Sequence, residues 1–123
     1  MLDCHEVELA WEKASPGRAR GLLEEWFGAR LASSKLDTAK LLASELVTNA
    51  MLHGQGKITF RSGLDDDQLL VEVLDEGTGF ELAAAAPRVS GAGGWGLEIV
   101  AAEASRWGMF EGTTHVWFAL ARA

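Results

Sequence analysis

Near the start of the chain Val7, Leu9 and Trp11 alternate with Glu6, Glu8 and Ala10, a period of two that predicts a strand suited to a sheet edge. Ser15 before Pro16 has the form of an N-cap and a first helical position. Ala19, Leu22, Leu23, Trp26 and Phe27 then recur three and four apart, which predicts a first helix from Pro16 to near Ala32. Asp37 is the next candidate cap, and Ala39, Leu42, Ala43, Leu46 and Ala50 form the stripe of a second helix that stops near Gly54 and Gly56. From Lys57 the period changes. KITFRSGL and QLLVEVLD are β-rich runs joined through Asp65, Asp66 and Asp67, a hairpin with an acidic turn. After Asp75 the chain is rich in glycine and alanine to about Gly94, too long and irregular for an ordinary turn, and reads as a mobile loop. Helical spacing returns through Leu97, Val100, Ala101 and Ala104, a short strand is expected at Trp107 to Phe110, and THVWFAL closes the chain as an apolar strand. Consecutive hairpin strands beside amphipathic helices predict an α+β fold: a two-layer α/β sandwich whose mixed, mostly antiparallel sheet carries its helices on one face.

The 123 residues suit one domain spanning 1–123, and 48% hydrophobic with 24% charged residues is a globular composition. A net charge of −7 argues against nucleic acid as a direct partner, because an acidic surface does not gather phosphate backbones. Cys4 stands alone, which excludes an intrachain disulfide or a multi-cysteine zinc site and accords with a reducing cytoplasm. The acidic start MLDCHEVELA and the lack of a long apolar run predict neither a secretory signal nor a membrane span.

Three segments carry candidate chemistry. In SELVTNAMLHG, Glu45 and Asn49 are four apart on the second helix, so both point the same way at the border between core and cleft. There a carboxamide oxygen can ligate Mg²⁺ and a carboxylate can accept a proton from an attacking hydroxyl; a solvated helix face with a Glu and an Asn has the same spacing. His53 continues the row and suits the negative end of the helix dipole. In LDEGTGF, Asp75 ends an apolar strand before Gly77 and Gly79, where it can accept a hydrogen bond from an exocyclic amine such as that of adenine, or simply begin a tight Asp-Gly turn. In GAGGWG, Gly91 to Gly96, free N–H groups run into a helix N-terminus and suit a phosphate. That string also fits the dinucleotide fingerprint G-x-G-x-x-G, but no strand precedes it, so the dinucleotide reading fails on context.

Taken in order, these segments resemble the N box and two glycine boxes of the superfamily that contains gyrase, ninety-kilodalton heat-shock chaperones, histidine kinases and mismatch-repair ATPases. SELVTNAMLHG, LDEGTGF, GGWGLEIV, the Arg106-Trp107-Gly108 triplet and HVWFAL are most similar to the small bacterial anti-sigma factor serine kinases. The resemblance runs from about residue 5 to 121 and implies a Bergerat ATP-binding fold holding ATP and Mg²⁺ beneath a lid. By that resemblance Glu45 is the general base for an acceptor serine, Asn49 the Mg²⁺ ligand and Asp75 the acceptor for the adenine amine. Gly77 and Gly79 shape the adenine pocket, Gly91, Gly93, Gly94 and Gly96 contact phosphates, and Thr114 supports the adenine-binding Asp. Two positions depart from the pattern. Gly112 lies one residue farther from Thr114 than in the usual Gly-Thr pair, and Trp95 stands where many relatives carry a basic residue, leaving Arg88 as the only basic residue between Asp75 and Gly96.

The resemblance further implies a cytoplasmic protein kinase that phosphorylates an anti-anti-sigma factor, binds a sigma factor, and forms a homodimer, for which exposed Trp and Leu on the first helix are candidate contacts. The alternative from another class is an ATP-binding interaction module without kinase turnover, since holding ATP does not by itself prove transfer.

Overall fold

Alternation sorts each strand into a dry face and a wet one, and the computed structural model, which describes residues 3–77, 97–109 and 115–122, stacks the dry faces under two long helices. The elements are β1 (Asp3–Leu9), α1 (Ser15–Phe27), α2 (Ser33–His53), β2 (Ile58–Leu64), β3 (Gln68–Leu74), α3 (Leu97–Glu103), β4 (Arg106–Met109) and β5 (Val116–Ala121). The five strands lie in the order β1-β2-β3-β5-β4, and every neighbouring pair is antiparallel. This is the expected α+β sandwich, with β1 at an edge and the short strand near Trp107 at the other. Much of the expected loop after Asp75 lies outside the described residues.

Register explains the two faces. Val7, Phe60, Val73, Val116 and Met109 form one transverse row on the dry side. Their neighbours Glu6, Arg61, Glu72 and Trp117 form the next row, on the wet side. There Arg61 reaches Glu6 at 3.0 Å and Glu72 at 3.6 Å, and His115 Nε2 meets Glu72 Oε2 at 2.7 Å. α2 packs on α1, β3 and β5, so Leu42, Leu46 and Val47 are buried with Leu23, Phe27, Phe60 and Phe118. The acidic hairpin forms as expected: Asp65 Oδ1 accepts the N–H groups of Gln68 at 2.8 Å and Asp67 at 2.7 Å, and these donors hold its carboxyl below the usual range.

The helix starts differ from the sequence reading. Ser15 is the first residue of α1 and not its cap; the cap is Ala14, and the Ser15 hydroxyl instead donates to the carbonyl of Ala10. α1 ends at Phe27, where Gly28 N–H closes on Glu24 O at 2.9 Å, short of Ala32. α2 begins at Ser33, so Asp37 is inside it. The physical reason is burial: starting one turn earlier carries Leu36 into the core, and that gain exceeds what a side-chain cap contributes. Leu22 and Trp26 are also not exposed contacts in waiting. Both pack on the core, with Trp26 stacked between His5 at 4.6 Å and Phe60 at 5.9 Å between ring centroids.

Candidate functional site

The site is built where the end of α2 meets the end of β3. Asn49 lies among Leu46, Val47 and Ala50, all buried, and is itself only 1% exposed. Its Oδ1 has no hydrogen-bond partner among the described residues. A buried amide oxygen left this way costs about 1–3 kcal/mol, so the position calls for a donor or a cation. Glu45, one turn earlier on the same side, is half-buried, so Glu45 lies at the core edge while Asn49, expected at that border too, is inside it.

One turn beyond Asn49 the helix stops at Gly54, whose N–H donates to Ala50 O at 2.7 Å. Gly54 is required here by close approach and not by its dihedral angles. A Cβ on it would overlap Asp75 Oδ2 and lie 2.6 Å from Ala50 O. The Asp75 carboxylate is thus seated on bare backbone. Its Oδ1 accepts N–H groups from Gln55 at 3.2 Å and Gly77 at 2.7 Å, while Oδ2 is buried without a partner among the described residues. Two donors on one oxygen fix the plane of the group and leave the other oxygen to accept from a ligand.

Glu76, just beyond β3, ties the end of the strand back to the same loop. Glu76 N–H donates to Gln55 O at 2.7 Å, and Glu76 Oε1 accepts the Lys57 N–H at 2.6 Å. Gly56 turns the chain with φ +68, a left-handed angle that an L side chain rarely adopts, and its carbonyl accepts the indole N–H of Trp11 at 2.6 Å. His53 sits in the last turn of α2, where burial pushes its imidazole below the usual range.

Of the sequence-predicted site residues, Glu45 and Asn49 lie one turn apart on α2, and Asp75 and Gly77 are joined by a hydrogen bond just beyond β3, beside Gly54 at the end of that helix. Gly79, Gly91, Gly93, Gly94, Gly96 and Thr114 lie outside the described residues, as do Arg88 and Trp95. Sequence reasoning did not find Gln55, Glu76 or Trp11, and took Gly54 for a helix stop alone. Only the glycine pair at 54 and 56 hinted at a crowded turn.

Among the described residues no group of three His, Cys, Asp or Glu side chains is placed to hold a metal ion, and no helix is long and apolar enough to cross a membrane. An anti-sigma F factor of Clostridium acetobutylicum is 41% identical over 51 residues, a stretch that covers 38% of this chain and 36% of that protein. The matched stretch thus covers little more than a third of that relative's length. The sequence model of the histidine kinase-like ATPase domain matches residues 9–118, which takes in all three described helices, the whole junction of α2 with β3 and most of the sheet. The five-stranded antiparallel sheet under helices accords with that match, and the chain belongs to the histidine kinase-like ATPase domain family.

Proposed function

We propose that the chain binds Mg²⁺ and ATP at the α2–β3 junction, transfers the γ-phosphoryl group to a serine of an anti-anti-sigma factor, and also binds a sigma factor, so that phosphorylation decides which partner is held. The observation that carries this reading is that two buried oxygens, Asn49 Oδ1 on α2 and Asp75 Oδ2 beyond β3, have no hydrogen-bond partner among the described residues. A cation and an amine are what such a pair lacks, and Mg·ATP supplies both. The similarity to an anti-sigma F factor supports the choice of partners, and these proteins would meet in the cytoplasm.

In this reading Asp75 accepts the adenine amine on Oδ2 while Gln55 and Gly77 hold Oδ1. Asn49 would hold Mg²⁺ through Oδ1, with phosphate oxygens and water completing a shell that one side chain cannot fill, and the ion would neutralise charge on the phosphates. Glu45 takes the proton of the serine hydroxyl as its oxygen bonds to the γ-phosphorus and the bond from that phosphorus to the β-γ bridging oxygen breaks. ADP carries away the bond's electron pair. Because the transition state is loose, most of the work falls to positioning, which suits a site built on a helix and a strand end.

Asn49→Ala is expected to weaken ATP binding in the presence of Mg²⁺ and to leave binding in EDTA nearly unchanged, with far-UV circular dichroism retained; calorimetric titration under both conditions checks it. Asp75→Asn keeps the shape and replaces an acceptor by a mixed group, so ATP should lose more affinity than GTP, whose ring carries a carbonyl at the corresponding place. Competition of the two nucleotides for the variant measures the ratio. The kinase reading is tested by incubating the chain with γ-labelled ATP and candidate anti-anti-sigma proteins from the same cell. Phosphoserine on the partner is the expected result; bound ATP with no transfer to any partner would leave an interaction module in place of a kinase.

A further inference from the structure

Trp11 lies in the loop between β1 and α1, 45 residues away in sequence from the turn it touches, and is 46% exposed. An aromatic side chain this exposed contributes little to the core, yet its indole N–H makes a 2.6 Å bond to the carbonyl of Gly56. Gly56 is the left-handed residue of the turn whose neighbour Gln55 gives one N–H to Asp75 Oδ1 and takes one from Glu76. On the other side of Gly56, Lys57 N–H is held by Glu76 Oε1. The turn is thus fastened by four hydrogen bonds, three to the Asp75–Glu76 pair and one to Trp11.

We propose that Trp11 is a positioning residue for nucleotide-base recognition: by fixing Gly56 it holds the Gln55 N–H on Asp75 Oδ1, and so keeps Oδ2 aimed for an exocyclic purine amine. The inference rests on the reading of Asp75 as the base acceptor. Trp11 does not touch the base. Its effect passes through one peptide turn to one carboxylate oxygen. The longer of the two bonds to Oδ1 is the one from Gln55, at 3.2 Å against 2.7 Å from Gly77, so it is the bond most easily lost when the turn loosens.

Trp11→Phe keeps an aromatic ring and removes the donor. Affinities for ATP and for purine riboside triphosphate, which lacks the 6-amino group, are measured by titration on the wild type, Trp11→Phe, Asp75→Asn and the double variant, with thermal midpoints taken on the same samples. ATP affinity should fall roughly two- to tenfold in Trp11→Phe, the range for one lost hydrogen bond. Affinity for the deamino analogue should stay at the wild-type value, and Trp11→Phe should add no further loss of ATP affinity in the Asp75→Asn background. Wild-type ATP affinity in Trp11→Phe, an equal loss for both nucleotides, or an undiminished loss in the double variant would each overturn the positioning role. A wild-type chain that does not prefer ATP to the deamino analogue overturns the reading of Asp75 itself, and the role of Trp11 with it.

Discussion

Glu45→Gln is expected to slow serine phosphorylation by about 10² or more while ATP affinity stays within a few-fold of wild type. The substitution preserves the shape of a half-buried side chain and removes only its basicity. A general base contributes typically 10²–10⁴ in rate, and it acts on the serine proton, not on ground-state ATP. Single-turnover transfer to a cognate partner, with nucleotide affinity measured in parallel, separates the two quantities. A Glu on a solvated helix face would change neither, and an unchanged transfer rate removes Glu45 from the mechanism.

Gly54→Ala is expected to cost ATP affinity roughly tenfold or more while α2 remains helical. The added methyl overlaps Asp75 Oδ2 and crowds Ala50 O at 2.6 Å, and these are a carboxylate held by two N–H groups and a helix backbone carbonyl, not the free end of a flexible side chain. The carboxylate must rotate or retreat. A charged group that loses its hydrogen bond forfeits about 1.5–3 kcal/mol, or one to two decades of affinity. The backbone angles of Gly54, φ −89 and ψ −176, are open to alanine, so any loss comes from contact with Asp75 and Ala50 O and not from dihedral strain. Circular dichroism beside ATP titration checks both halves of the expectation.

What the sequence made legible was whatever local periodicity or spacing controls. Alternation at Val7 and Leu9 gave the edge strand, the three- and four-residue stripe through Leu42 and Leu46 gave α2, and the same spacing set Glu45 and Asn49 on one side of it. The starts of α1 and α2 were misread because capping at Ser15 and Asp37 is a local preference: the Ser15 hydroxyl turns instead to the carbonyl of Ala10, and Asp37 is taken inside a helix that begins early enough to bury Leu36. The same limit hid Trp26, whose exposure could not be judged without His5 and Phe60 on either side. In the site, Asp75 was legible as a strand end before glycine. Its partners were not, because Gln55 and Trp11 reach it or its turn across 20 and 45 residues, and no short pattern encodes such contacts.

The central claim is that a purine nucleotide binds where the end of α2 meets Asp75. It is tested most directly by following the Gln55 and Gly77 backbone amides and the Asn49 side-chain amide by nuclear magnetic resonance as ATP and Mg²⁺ are added to the ¹⁵N-labelled chain. The two backbone amides should move along one saturating curve on addition of ATP alone, and the Asn49 amide should move only once Mg²⁺ is present. ATP binding that leaves these three resonances in place, or no binding at all, would contradict the account.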